Sequence, residues 1–144
     1  MMKKQILFLL ILALARSINY GQSKAQMKLN DNHQTQTSMN ISSYEEYLIA
    51  DSILNSTYQK LLKLIDNRIT ENDSEETKEW FKKLRKHIVS GQISWIKMKE
   101  SNSKYYEKSF EGGSIMPLYV NTTATQDTYY RIKTLEGFYS DLDH

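Results

Sequence analysis

The chain has 144 residues, of which 40% are apolar, 11% are aromatic and 25% are charged, and it contains no cysteine. This length and composition suit one small folded domain and exclude a disordered or collagen-like chain. The absence of cysteine excludes disulfides, thiol catalysis, iron–sulfur clusters and cysteine-based zinc sites.

The first 21 residues have the form of a secretory signal peptide. A basic start with Lys3 and Lys4 precedes the ten consecutive apolar residues 6–15, and polar residues follow. The alternative is a membrane anchor, but ten helical residues cover only about 15 Å of a hydrocarbon layer about 30 Å thick. We therefore expect cleavage after Ala15 or as late as Gly21, no stable membrane anchor, and a location in the periplasm or outside the cell.

Export changes the net charge. The full chain carries +2, but removal of Lys3, Lys4 and Arg16 leaves 16 basic against 17 acidic residues. A mature chain with a charge near −1 has no net positive field, so nucleic acid is a poor candidate partner.

Residues 22–38 predict a flexible polar spacer, because they are rich in Gln, Asn, Thr and Ser. Residues 39–144 carry helical periodicity and show no sustained strand alternation. The predicted fold class is all-α: a small antiparallel bundle of about three long helices with one ordered Gly-Gly-Ser loop.

The first predicted helix begins at Ser42 or Ser43, because Ser42-Ser43-Tyr44-Glu45 is a capping-box sequence. Large side chains at helical spacing predict its core face; they are Tyr44, Tyr47, Leu48, Leu54, Tyr58, Leu61, Leu62, Ile65 and Ile69.

The second predicted helix begins near Asp73 or Ser74 and ends at residues 111–114. Its apolar positions are Trp80, Phe81, Leu84, Ile88, Trp95, Met98, Tyr105 and Tyr106. The third helix is predicted over about 122–139, because Pro117 is expected to keep the chain from restarting a helix at once. Its predicted buried side consists of Ala124, Thr128, Ile132, Leu135 and Phe138.

Basic residues concentrate in the second helix. Residues 78–108 carry a local charge of +6, between −4 for residues 22–77 and −3 for residues 109–144. One interpretation is a basic helix packed between two acidic ones, with its charges in solvent. The other is a binding surface centred on Lys82, Lys83, Arg85 and Lys86.

No motif points to catalysis. His33, His87 and His144 do not share a metal-ligand spacing, and there is no G-x-S-x-G, no phosphate-binding glycine loop and no H-E-x-x-H. We therefore expect a binding protein rather than an enzyme, with no cofactor and no metal site.

Several polar residues fall where the helical pattern expects core. They are Asp51 and Asn55 in the first helix, Gln92 on one face with Trp95 in the second, and Thr128 and Arg131 on one face of the third, and Lys99 is a candidate partner for them. A buried carboxylate without a partner is costly, so Asp51 is expected to meet Arg131, Lys99 or an amide donor. The two interpretations are a network that fixes the register of the bundle and a ligand pocket. If Asp51 is buried and paired, Asp51→Ala should cost about 3 kcal/mol or more.

Five short motifs occur in an order typical of one known family. They are Met39-Asn40, Ala50-Asp51-x-x-Leu54-Asn55-x-x-Tyr58, Gln92-x-x-Trp95, Gly112-Gly113-Ser114 and Thr128-x-x-Arg131-x-x-x-Leu135. Through them the chain resembles the lysozyme inhibitor LprI-like family of small exported bacterial helical domains, over residues 39 to about 139.

The chain departs from the family pattern in two ways. Lys99-Glu100 stands where the family usually has Arg-Asp, which keeps the charges but loses the two-pronged guanidinium. The family's cysteines, expected near Ser42, Ser103 and Thr122, are absent. Packing and polar contacts must therefore offset about 2–4 kcal/mol for each missing disulfide.

The resemblance implies a protein partner, because some family members are taken to inhibit lysozyme. A loop could enter the substrate cleft and donate hydrogen bonds to the catalytic carboxylates, and the candidate residues for this role are Gly112, Gly113 and Ser114. In the other interpretation the two glycines only cap the second helix and turn the chain.

Three functional hypotheses follow. The first is an exported inhibitor of lysozyme or of another cell-wall lytic enzyme. The alternative is a structural or interaction protein of the envelope, which would use the basic helix or exposed aromatic residues such as Tyr105 and Tyr106. An enzyme that acts on peptidoglycan is the weakest, because no acid–base pair stands out.

Overall fold

A computed structural model describes residues 35–143, which form three helices joined by two short connections. Helix α1 spans Gln36–Glu71, α2 spans Glu75–Ser109 and α3 spans Met116–Leu142. The expectation of an all-α bundle with three long helices is confirmed. The predicted signal peptide, 1–21, and most of the predicted spacer lie outside the described residues. Among the helices of the described part, none is long and apolar enough to span a bilayer.

Helix α1 begins at Gln36, so the predicted start at Ser42 or Ser43 is wrong. Ser43 is buried inside the helix, and its hydroxyl donates to the Asn40 carbonyl oxygen at 2.9 Å. A serine hydroxyl can donate a hydrogen bond to a carbonyl oxygen of the preceding turn, or it can accept one from a free amide at a helix start. The capping-box pattern alone therefore does not mark a helix start. Residues 36–38, which were assigned to the spacer, belong to α1.

Helix α2 begins where the sequence predicts and ends shortly before the predicted 111–114 segment. The Ser74 hydroxyl oxygen accepts a hydrogen bond from the Thr77 amide at 3.3 Å, and Glu75 and Glu76 occupy the first turn. Both features stabilise the positive end of the helix dipole. The helix stops at Ser109, directly before the glycine-containing segment.

Helix α3 begins at Met116, earlier than predicted, because Pro117 lies in its first turn. Proline disrupts a helix interior but suits the first turn, where its missing N–H would have no partner and its fixed φ is already helical. The expectation that Pro117 delays the helix is therefore wrong.

Helices α1 and α3 run parallel and form the closest helix pair, while α2 runs antiparallel to both. Buried side chains on the first halves of α1 and α3 are small, which allows a close approach; they are Ser43, Ala50, Ala124 and Thr128. Larger side chains fill the rest of the core, and they are Leu54, Leu61, Leu62, Ile65, Ile88, Trp95, Ile132 and Leu135.

The core faces differ from the predicted ones at several positions. In α1, Tyr44 and Leu48 are about half exposed, and the buried positions beside them are Ser43 and Ala50. The other predicted core residues that are exposed are Trp80, Met98, Tyr105 and Phe138. Apolar side chains lie on more than one face of each helix, so periodicity alone does not select the face that packs.

Two polar contacts join the helices at the end of the bundle that holds residues 72–74. Arg85 donates to both carboxylate oxygens of Asp66, from Nε at 2.7 Å and from Nη2 at 3.4 Å. This hydrogen bonding, together with the carboxylate charge, raises the pKa of Arg85. Arg68 donates to the Leu142 carbonyl oxygen at 3.1 Å and thereby satisfies the last turn of α3.

Candidate functional site

The 110–115 loop, from Phe110 to Ile115, joins α2 to α3, and residues 111–115 are exposed. Gly112 has a φ of +77°, a conformation that favours glycine. The Gly113 amide donates to the Phe110 carbonyl oxygen at 2.9 Å, and a Cβ at Gly113 would lie 3.1 Å from that oxygen. The geometry of the turn by itself therefore favours glycine at both 112 and 113.

The tip of this loop presents hydrogen-bond donors to solvent. Ser114 is exposed, and its hydroxyl has no hydrogen-bond partner within the described residues. The backbone amides of Gly112 and Ser114 also have no partner in this part of the chain. Three unpaired donors on one short loop can bind an acceptor, and a carboxylate is the strongest acceptor that a protein partner offers.

One asparagine ties the loop to α1, and a second asparagine joins α3 to α1 beside it. Nδ2 of Asn40 donates to the Ser114 carbonyl oxygen at 2.9 Å, which ties the loop to α1. Nδ2 of Asn121 donates to the Ser43 hydroxyl oxygen at 3.1 Å and lies 3.5 Å from the Asn40 carbonyl oxygen. Ser114 is thus exposed through its side chain and anchored through its backbone.

No prediction from the sequence covers this anchor. Asn40 belongs to the Met39-Asn40 motif, and Asn121 belongs to none of the five family motifs. Each asparagine lies three residues before a small buried side chain, Ser43 or Ala124. An amide side chain one helical turn before a small buried residue is the signal that could have identified both.

Aromatic side chains pack together where the 110–115 loop joins the helices. Phe110 stacks on Tyr119, with ring centroids 4.3 Å apart and planes within 6°. The pair links the residue that follows α2 to the first turns of α3. Tyr105 and Tyr106 make an edge-to-face contact one turn earlier, and Tyr105 is exposed.

The seven residues predicted to form one polar network fall into separate groups. In the first, Nζ of Lys99 lies 3.7 Å from Asp51 Oδ1, donates to the Tyr47 hydroxyl at 2.9 Å, and lies 5.0 Å from the Tyr47 and Trp95 ring centroids. Asn55 donates to Asp51 Oδ2 at 3.1 Å. The contacts of Asp51 with Lys99 and with an amide are among those expected from the sequence, whereas the contact of Lys99 with Tyr47 is not.

Asp51 and Asn55 do not lie on the core face, in contrast to the prediction. The Asp51 side chain is 39% exposed and Asn55 is exposed, whereas the Lys99 side chain is only 12% exposed. The rings of Tyr47 and Trp95 therefore cover the ammonium group of Lys99, while the carboxylate of Asp51 remains partly exposed to solvent. Trp95 Nε1 is buried and has no hydrogen-bond partner among residues 35–143.

The second group joins α2 to α3. Nε of Arg131 donates to Gln92 Oε1 at 2.9 Å, and burial lowers the pKa of Arg131. Thr128 joins neither group, because its hydroxyl donates to the Ala124 carbonyl oxygen of its own helix at 2.7 Å. Asp51 does not pair with Arg131, so the carboxylate and the guanidinium belong to different contacts.

Asp51→Ala is expected to lower the free energy of unfolding by about 1 kcal/mol or less, not by the larger amount that a buried pair would give. The carboxylate is partly solvated, and such ion pairs contribute about 0.2–1 kcal/mol. Urea denaturation of Asp51→Ala beside the wild type measures the effect. A loss well above this range would show that the carboxylate is buried after all.

The basic surface on α2 is partly neutralised. Lys82 pairs with Glu79 at 2.6 Å, which raises the pKa of Lys82 through their hydrogen bond, and Arg85 is held by Asp66. Lys83 and Lys86 are exposed. These pairings favour the interpretation of a solvated basic face over that of an anion-binding surface.

The described residues offer no cluster of three or more His, Asp or Glu side chains that could hold a metal ion. His87 is exposed on α2, and His33 and His144 lie outside the described residues.

Comparison with known proteins identifies the family to which the chain belongs. No curated protein and no solved structure matches the chain. A family model described as Lysozyme inhibitor LprI matches residues 27–135, which is well over half of the chain. The match starts inside the predicted spacer and includes all of α1, all of α2, the 110–115 loop and most of α3. The chain therefore belongs to the lysozyme inhibitor LprI family.

Proposed function

We propose that the protein is an exported, non-enzymatic binding protein that inhibits lysozyme or another enzyme that lyses the cell wall. The family supports the inhibitor class. The single observation that carries the assignment to this site is the exposed 110–115 loop, with three unpaired donors on a backbone anchored by Asn40. The N-terminal signal-peptide pattern supports export.

The proposed mechanism uses the chemistry of glycosidase clefts. Lysozymes place two carboxyl groups on either side of the scissile bond. The Ser114 hydroxyl and the amides of Gly112 and Ser114 would donate to these groups, while the loop would exclude the sugar chain. Because Gly112 and Gly113 carry no side chain, the backbone can approach the cleft closely.

Charge supports the same partner. Residues 22–77 and 109–144 are net acidic, at −4 and −3, and many animal lysozymes are basic. Attraction between opposite net charges accelerates encounter, and salt weakens it. The basic face of α2 would oppose this attraction, so we propose that it points away from the enzyme in the complex.

Titration of the purified protein into a panel of lysozymes that degrade cell walls tests the proposal. Inhibition of at least one enzyme at micromolar protein is the expected result. Absence of inhibition across the panel would reject the inhibitor function and favour the envelope interaction protein.

Ser114→Glu is expected to raise the inhibition constant at least 100-fold, because it places a carboxylate against the two catalytic carboxyl groups of the enzyme. Like charges brought face to face in an interface cost several kcal/mol. Ser52→Glu, an exposed position on α1, is the matched control and should leave inhibition nearly unchanged. If Ser114→Glu inhibits as well as the control, the inhibitory surface lies elsewhere on the domain.

A further inference from the structure

A second site candidate lies between α2 and α3, along the second half of α3 and so away from the 110–115 loop. It is a groove of about 420 Å³, and its apolar walls are formed by Trp80, Leu84, Ile88, Phe138 and Leu142. We call it the Arg131 groove, because the Arg131 guanidinium forms part of its lining. Trp80 and Phe138 are exposed although both are large apolar residues, so the groove leaves apolar surface open to water.

Arg131 is the one cation in this lining, and the protein does not neutralise it. The guanidinium is half-buried, and no carboxylate within residues 35–143 forms an ion pair with it. Its Nε atom is bonded to Gln92, while Nη1 and Nη2 have no hydrogen-bond partner in the same range. Nη2 lies 3.6 Å from the position of a Cβ at Gly91, so the glycine leaves room beside these two donors.

Two further titratable groups face the groove. His87 and Asp141 belong to its lining, and both are exposed. Asp141 does not pair with Arg131, and its carboxylate is solvated at the edge. The buried part of the groove is therefore apolar, with one positive charge whose two outer nitrogens lack acceptors.

We propose that the Arg131 groove binds a small molecule that carries one carboxylate on an apolar body. The carboxylate would accept two parallel hydrogen bonds from Nη1 and Nη2, the geometry that a guanidinium fork favours. The apolar body would cover Trp80 and Phe138. Ligand sites span roughly 300–1,000 Å³, so a groove at the lower end of that range suits a short chain or a single ring. This site is independent of the loop and of lysozyme inhibition.

Octanoate is the probe, with acetate and octylammonium as controls that lack the apolar body and the negative charge. Titration into the full-length protein is followed by the backbone amide signal of Gly91 in NMR spectra and by tryptophan fluorescence, to which Trp80 and Trp95 both contribute. Octanoate should move both signals saturably, and the two controls should not at the same concentration. Equal shifts with octylammonium, or none with octanoate, would overturn the proposal.

Variants separate binding from folding. Arg131→Gln should weaken octanoate binding at least tenfold, and Lys133→Gln, which removes an exposed cation from the same helix, should not change it. Asp141→Asn should leave binding equal or tighten it, because it removes a like charge near the ligand. Gly91→Leu leaves Arg131 in place and introduces a good helix former, but its side chain fills the groove. The variant should therefore still show a cooperative thermal transition and should lose the octanoate shifts. Wild-type affinity in Arg131→Gln or in Gly91→Leu would exclude this site.

Discussion

Leu61→Ala is expected to lower the free energy of unfolding by about 2–5 kcal/mol, a large part of the 5–15 kcal/mol typical of a small domain. Leu61 is fully buried in α1 and belongs to the apolar core with Ile65, Trp95 and Leu135. The truncation removes buried methyl groups and leaves a cavity that helices on both sides cannot fill by a small shift. Urea denaturation monitored by circular dichroism measures the change.

Leu48→Ala is the matched control, because it makes the same chemical change on the same helix. Leu48 is 48% exposed, so its truncation should cost less than about 1 kcal/mol. The pair also tests which face of α1 packs, since the apolar pattern of the sequence assigns both leucines to the core. Equal losses in the two variants would show that Leu48 is buried and that the core face has been assigned incorrectly.

Ala50→Leu is expected to destabilise the fold by about 1–3 kcal/mol, because extra methyl groups have no space where α1 meets α3. Ala50 is fully buried, and its neighbours along the first half of the α1–α3 contact are small. The change should also weaken the anchor of the loop, since Asn40 and Asn121 depend on the same close approach. Thermal unfolding and lysozyme inhibition measured on one preparation give both effects.

Ser52→Leu is the control for the larger side chain, because Ser52 lies two residues away on the exposed side of α1. It should change the unfolding temperature little. A stable Ala50→Leu variant with unchanged inhibition would mean that α1 and α3 are farther apart than the structure places them.

The number of helices and the cap of α2 could be predicted from the sequence, because each depends on local chemistry. Ser74, with Glu75 and Glu76 after it, satisfies the first amides of a helix wherever the rest of the chain lies. Gly112 turns the chain three residues after α2 ends, for an equally local reason, a left-handed backbone conformation. These predictions needed no knowledge of the neighbouring helices.

The start of α1 and its core face could not be predicted in the same way. Hydropathy predicts that Tyr44 and Leu48 are buried rather than Ser43 and Ala50. The close contact with α3, however, has room only for small side chains. That selection depends on a helix almost eighty residues away along the chain, as the separation of 78 residues between Ser43 and Asn121 illustrates. The loop anchor depends on the same packing, so it could not be predicted either.

Polar contacts occur next to the positions where the family resemblance places cysteines. Ser42 is next to Ser43, and Thr122 is next to Asn121. A hydrogen bond between α1 and α3 joins Ser43 to Asn121. Ser103 adjoins Asn102, which donates to Asp127 of α3 at 2.9 Å. Each hydrogen bond contributes about 0.5–1.5 kcal/mol, so these contacts offset part of what a disulfide would give.

The parallel pairing of α1 with α3 also determines the order in which the domain can be completed. A chain that crosses a membrane from its N-terminus delivers α1 and α2 first, and these two helices share far less surface than α1 shares with α3. The hydrogen bonds that join α1 to α3 and to the 110–115 loop connect residues 74–81 positions apart. Contacts between distant residues require a large loss of chain entropy before they form. In a chain exported in this way, the last helix to emerge is the one that closes the fold and holds the 110–115 loop in place.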